Sequence, residues 1–292
     1  MRIRLDWFGE KLAQRLADLE TGRITPATPR DAATVMLLRP AAADAGEAVD
    51  VGVAGVEVLM LRRVAAMKFA PGAYVFPGGS VDPADYGAEV GWHGPDPAEF
   101  GARLGASAEM ARALVCAAVR ETFEEAGVLL AGAPDGGPLA DPSGPSWAAD
   151  RAALTAGQLT LAELLSRRGL VLRADLLVPW ARWITPEGEP RRFDARFFAA
   201  ALPAGQVATG HAAESDHIAW LRPGDAIESA RAGEISLLPP TATTLQDFAV
   251  ADSGGVAGIL GRRPVIEPVM PRLVLEDGQA WLYVPDEVGY PL

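Results

Sequence analysis

Apolar residues recur at helical spacing over residues 6 to 20, where Trp7, Leu12, Leu16 and Leu19 predict an amphipathic N-terminal helix. The punctuating stretch TGRITPATPR ends it, and packing of this arm on its own domain or on a second subunit, as in a homodimer, are both open. Two β-branched and apolar runs, DAATVMLLRP and GVEVLMLRR, flank a loop-like segment and predict a hairpin of buried strands. KFAPGAYVFPGGSVD follows as a short strand bracketed by glycine and proline turns. Residues 83 to 107 are rich in Pro and Gly, with a short helix inside them that has Asp96 as N-cap and Pro97 at its first position.

The longest helical pattern runs from about 108 to 126, with Ser107 as N-cap and Gly127 as the stop. Residues 132 to 146 read as a loop, and TLAELLSRRG as a helix. LVPWARWIT, PEGEP and RRFDARFFAAAL then read as strand, turn, strand. A strand over DHIAWL, helices begun at Pro223 and in LPPTATTLQDFA, and a terminal β-ribbon within 262 to 292 complete the pattern. Strands interleaved with helices argue for an α/β or α+β fold.

At 292 residues the chain is long enough for one dominant core with additions. Its formal charge of −12 argues against nucleic-acid or anionic-membrane binding, so any anionic ligand has to be met locally. No apolar run approaches a membrane span and the N-terminus has no signal-peptide pattern, so the expectation is a soluble cytoplasmic protein. The single cysteine, Cys116 in ALVCAAV, reads as a small core residue rather than a nucleophile.

On the long helix Glu121, Glu124 and Glu125 fall within an arc of about 100°, opposite Val115, Cys116, Val119, Phe123 and Ala126. Taken alone this is a solvated charged face. Three carboxylates so close resist joint ionisation unless a divalent cation offsets them, and hard oxygen ligands suit Mg2+ or Mn2+. Arg120, four residues before Glu124, is placed to pair with it. Arg62, Arg63 and Lys68 precede the glycines, and Arg192, Asp194 and Arg196 alternate onto one side of a strand. Arg192 and Arg196 either contact substrate phosphates or are satisfied by Asp194 in a structural ladder. Trp180, Trp183 and Phe193 either stack a base or fill the core.

The spacing R-E-x-x-E-E-x-G over Arg120, Glu121, Glu124, Glu125 and Gly127, then Val128, together with the upstream Pro-Gly-Gly turn, resembles the Nudix hydrolases and their box G-x5-E-x7-R-E-U-x-E-E-x-G-U. Thr122 stands at the aliphatic U position. Arg120 lies 41 residues after Gly79, so about 27 residues are inserted inside the box, which slowly growing loop-closure entropy tolerates. Counted back from Arg120, the first box glutamate falls on Arg112, with Glu109 and Asp82 as substitutes that do not match strictly. PRDAATVMLLR, MKFAPGAYVFPGGSVDPAD, WITPEGEPRRFDARFF and LLPPTATTL extend the likeness to the branch holding peroxisomal coenzyme A diphosphatases and their bacterial relatives.

The resemblance implies a Nudix α/β/α sandwich with a mixed β-sheet over 29–292, the insertion at 83–107, and residues 1–28 as a helical arm. It implies hydrolysis of a pyrophosphate bond in a nucleoside-diphosphate-linked substrate with Mg2+ or Mn2+. CoA and acyl-CoA, nucleotide sugars, ADP-ribose and dinucleotides are the alternatives. Glu121, Glu124 and Glu125 would hold the metal with Arg120 beside them, while Gly78, Gly79, Arg62, Arg192 and Arg196 would meet the substrate. In some members the base lies on a loop outside the helix. Glu214 in GHAAESDH is the candidate here, with His211 and His217 nearby. A rival reading is a Nudix-fold sensor that binds a nucleotide without cleaving it; the three intact helix glutamates speak against it.

Overall fold

A computed structural model describes residues 1–5, 10–41, 55–64, 71–87, 89–210, 215–251 and 254–292. Three N-terminal residues form β1 (Arg2–Arg4), followed by α1 (Glu10–Glu20). The predicted hairpin is present as β2 (Arg30–Pro40) and β3 (Val56–Arg63), antiparallel through Leu38↔Val58, Arg39↔Glu57 and Pro40↔Val56. Beyond these pairs the two strands part, and the segment 74–80 fills the fork. Its β4 (Tyr74–Val75) pairs with β3 and its β5 (Gly78–Ser80) pairs with β2, while Val35 N–H donates to the Pro77 carbonyl at 2.8 Å.

The expectation of a Pro-Gly-Gly turn is thereby corrected. Gly78 and Gly79 lie in an extended strand, paired with Thr34 and Ala33. What requires glycine is proximity: a Cβ on Gly78 would stand 2.5 Å from the Ala33 carbonyl oxygen and 2.7 Å from the Thr34 Cα.

A 3-10 turn (Pro83–Asp85), β6 (Trp92–His93) and α2 (Pro97–Leu104) lead to α3 (Ala108–Ala126). Helix α2 has the predicted Asp96 cap, completed as a capping box by Glu99. Helix α3 has Ser107 as its cap, accepting from Met110 N–H, and Gly127 in the left-handed conformation, as the sequence indicated. The two-faced character expected of α3 holds only in its last turns. Every residue from Ala113 to Val119 is fully buried, because small side chains at 113, 117 and 118 let neighbouring elements close on all sides. Cys116 is among them, and burial pushes its thiol up to about 12, which makes it an inert core residue.

After α3 come β7 (Ala131–Gly132), α4 (Pro145–Thr155), α5 (Leu161–Arg168), β8 (Val171–Arg173), β9 (Val178–Ile184) and β10 (Phe193–Ala201). Then follow β11 (Ser215–Leu221), α6 (Pro223–Arg231), α7 (Pro239–Ala251), α8 (Gly255–Leu260), β12 (Pro268–Val269), β13 (Arg272–Glu276) and β14 (Gln279–Tyr283). The main sheet has the order β11-β3-β2-β10-β9-β12, with β4 and β5 in the fork. It is mixed: β2 runs parallel to β10 and β12 to β9, the other pairs being antiparallel.

Alternation along β2 explains the sandwich. Ala33, Val35 and Leu37 pack against α3, while Met36 and Leu38 join the cluster of α6, α7 and α8 on the opposite face. An α/β/α sandwich with a mixed sheet results. The arm expected at 1–28 and the ribbon expected at 262–292 are not separate additions, because β1 pairs with β14 and makes a three-stranded sheet β1-β14-β13. Leu12 and Leu16 of α1 bury against that sheet with Leu5 and Ala280, so the arm packs on its own chain. No helix among the described residues is long and apolar enough to cross a membrane.

Candidate active site

The fork between β2 and β3 sets the two glycines against the C-terminal end of α3. Gly78 N–H donates to Glu125 Oε2 at 2.9 Å, which fixes that carboxylate on the backbone of β5. At Gly79 a Cβ would stand within 2.8 Å of both carboxylate oxygens of Glu121, so this glycine leaves room for the acid to lie flat on the strand.

Arg120 joins all the parts. Its Nη1 donates to Glu121 Oε1 at 2.8 Å and to Glu124 Oε1 at 3.1 Å, its Nη2 to the Ser80 carbonyl at 2.9 Å, and its remaining contacts go to Asp85. Side chains of Arg120 and Asp85 are only 13% and 3% exposed, so this pair is largely withdrawn from water. Burial alone would lower the pKa of Arg120. Its hydrogen bonds to Asp85 and Glu124 and the charges of Glu121 and Asp85 outweigh that and raise it, so the guanidinium stays charged.

Asp85 was not foreseen as a site residue. Counted back from Arg120, the first acid of the box falls on Arg112; counted forward from Gly79, the sixth position is Asp85. The structure corrects the first count. Arg112 donates to the Val90 carbonyl at 2.9 Å and stacks over Trp92 at 5.2 Å, tying the segment after Asp85 to α3. The substitutes fare no better: Asp82 caps the turn that presents Asp85 by accepting from Ala84 N–H, and Glu109 is exposed in the first turn of α3.

The basic candidates fall elsewhere. Arg192 is buried and donates to the Thr185 and Ala27 carbonyls. Arg196, 3% exposed, is bonded to Asp31 and Asp194, with Arg182 completing the ladder on Asp194. For both the structure takes the internal, structural alternative. Arg62 is exposed between Tyr74 and His217 on adjacent strands, and alternation sets it on the side of Met60, away from α3. Trp180 packs on Phe248 at 5.0 Å and Trp183 is buried, so both are core. Lys68, His211 and Glu214 lie outside the described residues.

Among the described residues no three acidic, histidine or cysteine side chains form a ready-made metal cage. The donor set nevertheless fits a hard divalent ion: oxygens of Glu121 and Glu124 converge on a single cationic nitrogen of Arg120, and Glu125 lies on the same end of the helix.

Comparison with known proteins identifies the family. A Nudix hydrolase from Alicyclobacillus acidocaldarius has a crystal structure matching 82% of this chain and 98% of its own, at 29% identity and a TM-score of 0.65. The acyl-coenzyme A diphosphatase NUDT19 of Gallus gallus is 32% identical over 258 residues, covering 72% of this chain and 65% of the relative. The human acyl-coenzyme A diphosphatase NUDT19 is 33% identical over 223 residues, covering 64% and 58%. This chain thus spans less than two thirds of the length of those curated relatives. The model of the NUDT19 Nudix domain matches residues 95–247, more than half of the sequence, and the chain therefore belongs to the Nudix family, in its NUDT19 branch.

Proposed function

We propose that this protein hydrolyses the pyrophosphate bond of a nucleoside-diphosphate-linked substrate of the coenzyme A type, CoA or acyl-CoA, with Mg2+ or Mn2+. The observation that carries the reading is the Arg120 hub, which gathers Glu121, Glu124, Ser80 and Asp85 at the mouth of the fork. The names of the relatives supply the substrate class.

On this reading Glu121, Glu124 and Glu125 hold the metal, and the box is split between Asp85 and Arg120. When bound, the ion neutralises the bridging phosphates and lowers the pKa of the attacking water. The chain's own residues prepare for that. Arg120 fixes the rotamers of Glu121 and Glu124, Asp85 holds Arg120 in place, and Gly78 N–H orients Glu125. Gly79 keeps the strand bare where the substrate must approach the carboxylates. Glu214 is the base candidate outside the helix.

The test is product detection with purified protein against acyl-CoA, CoA, ADP-ribose, nucleotide sugars, dinucleotides and nucleoside triphosphates, with Mg2+, Mn2+ or EDTA. Release of 3′,5′-ADP and a phosphopantetheine from the CoA compounds, abolished by EDTA, is expected. Selective cleavage of another member would replace the substrate. Silence across the panel with tight binding of one member would make the protein a sensor.

A further inference from the structure

Helix α3 ends badly for a helix that must carry acids. Its last turn holds Glu124 and Glu125 beside the negative end of the helix dipole and has no basic residue of its own. Its terminal carbonyls also need partners. Gly127 N–H serves the Phe123 carbonyl at 2.9 Å, and Thr209 N–H serves that of Ala126 at 2.8 Å. The Glu124 carbonyl is taken by Arg151 Nε at 2.9 Å, from helix α4.

The same guanidinium grips Thr209 twice, Nη1 on Oγ1 and Nη2 on the carbonyl, each at 2.9 Å. Gly127 makes the junction feasible. Its φ is +67°, and a Cβ there would stand 2.6 Å from Thr209 Oγ1 and 3.0 Å from Arg151 Nη1. Helix α4 is itself held in place. Trp147 meets Phe123 edge-on at 6.1 Å, Arg168 of α5 stacks over Trp147 at 4.1 Å, and Asp150 is bonded by Arg167 and Arg168. Gln206 secures the other strand of the junction, bonding the backbone of Leu129 in both directions and the Leu139 carbonyl.

We propose that Arg151 is a positioning residue for the metal-holding carboxylates: through the Glu124 carbonyl and Thr209 it fixes the terminal turn of α3, so that Glu124 and Glu125 meet a divalent ion without rearrangement. The inference rests on the reading of those glutamates as metal ligands. Arg120 holds the carboxylate ends from the front of the helix; Arg151 holds the backbone from behind.

Its sign makes it testable. A cation near the site repels a second cation, so loss of Arg151 by charge alone would tighten metal binding. Loss of a positioning group weakens it. Mn2+ binding is read from the free-ion electron paramagnetic resonance signal, with no turnover involved, on the full chain and on Arg151→Met, Arg151→Lys and Thr209→Val. Arg151→Met is expected to raise the Kd for Mn2+ about tenfold, as for other groups that orient metal ligands. Arg151→Lys, which keeps the charge but not the fork, and Thr209→Val, which keeps the guanidinium but loses its hydroxyl partner, raise it less and in the same direction. Unchanged or tighter binding in Arg151→Met with an intact circular dichroism spectrum overturns the proposal. Should that variant fail to fold, unchanged binding in Thr209→Val overturns it equally. Absence of Mn2+ binding by the parent protein would instead remove the metal reading beneath it.

Discussion

Arg120 and Asp85 stand 35 residues apart in sequence and share a largely buried ion pair. Removing one member of such a pair leaves the other charge in a poorly solvated place. Asp85→Ala is expected to cost about 3 kcal/mol in urea unfolding and to lower turnover about tenfold or more, as Arg120 swings away from Glu121 and Glu124. Glu124→Gln and Glu125→Gln keep the side chain's size and an acceptor oxygen for Arg120 and Gly78 N–H, and should keep the melting temperature while cutting turnover by orders of magnitude. Parent-like turnover in both would remove the site. Asp247 offers a different reading of charge. Burial raises its pKa, with only partial relief from the Trp180 Nε1 hydrogen bond. A carboxyl whose folded pKa is raised binds its proton more tightly when folded, so its contribution to stability declines as pH rises through that range. Asp247→Asn, which keeps an acceptor for Trp180, should melt higher than the parent at pH 7 and equally at pH 3. Lower stability at pH 7 would refute the assignment. The glutamates, Arg120 and the helix stop were legible in the sequence because their spacing repeats a helical turn. Asp85 was hidden because a count made back from Arg120 ends on Arg112 instead, and Arg151 by having no local pattern at all.

At the scale of elements, the fork in the β2–β3 hairpin decides where the glycines sit. Substitutions there should separate packing from chemistry. Gly78→Ala drives a methyl into the backbone of β2, which cannot yield, and is expected to destabilise by about 2 kcal/mol. Gly79→Ala meets only the carboxylate end of Glu121, which can move, so it should leave unfolding near the parent's while reducing activity. The reverse order of the two effects would show the fork to be misassigned. Strands and helices with periodic apolar residues were readable: β2, β3, α2, α3 and α5 fall where caps and alternation put them. Helix α4 was passed over. Its Pro145 stands at the first turn, a helix-start cue, but the Gly- and Pro-rich stretch before it has the composition of a loop. The Pro-Gly-Gly reading failed for another reason, since glycine marks close approach as often as a turn and only the neighbouring strand tells which.

Across the whole molecule, the two ends of the chain fold as one layer. Leu5, Leu12 and Leu16 bury on the β1-β14-β13 sheet and its neighbours, each contributing about 1.5–3 kcal/mol as an upper figure. Deleting residues 1–20 is expected to lower the urea midpoint and to expose Leu273, Leu275 and Leu282 to dye binding. An unchanged midpoint would mean that this layer unfolds independently of the sandwich. The sequence announced a helix and a ribbon but not their union, because pairing between residues nearly 280 positions apart leaves no periodic trace.

The β1–β14 pairing also sets an order of events during synthesis. Ile3 pairs with Leu282, so β1 finds its partner only after all the residues between them have been made. Until then the apolar side of α1 has no sheet to lie on, and β1 is a waiting edge in every nascent copy. A permuted gene that places β1 directly after β14 would let the three strands form consecutively, and should shorten that interval without moving a single residue of the glutamate cluster.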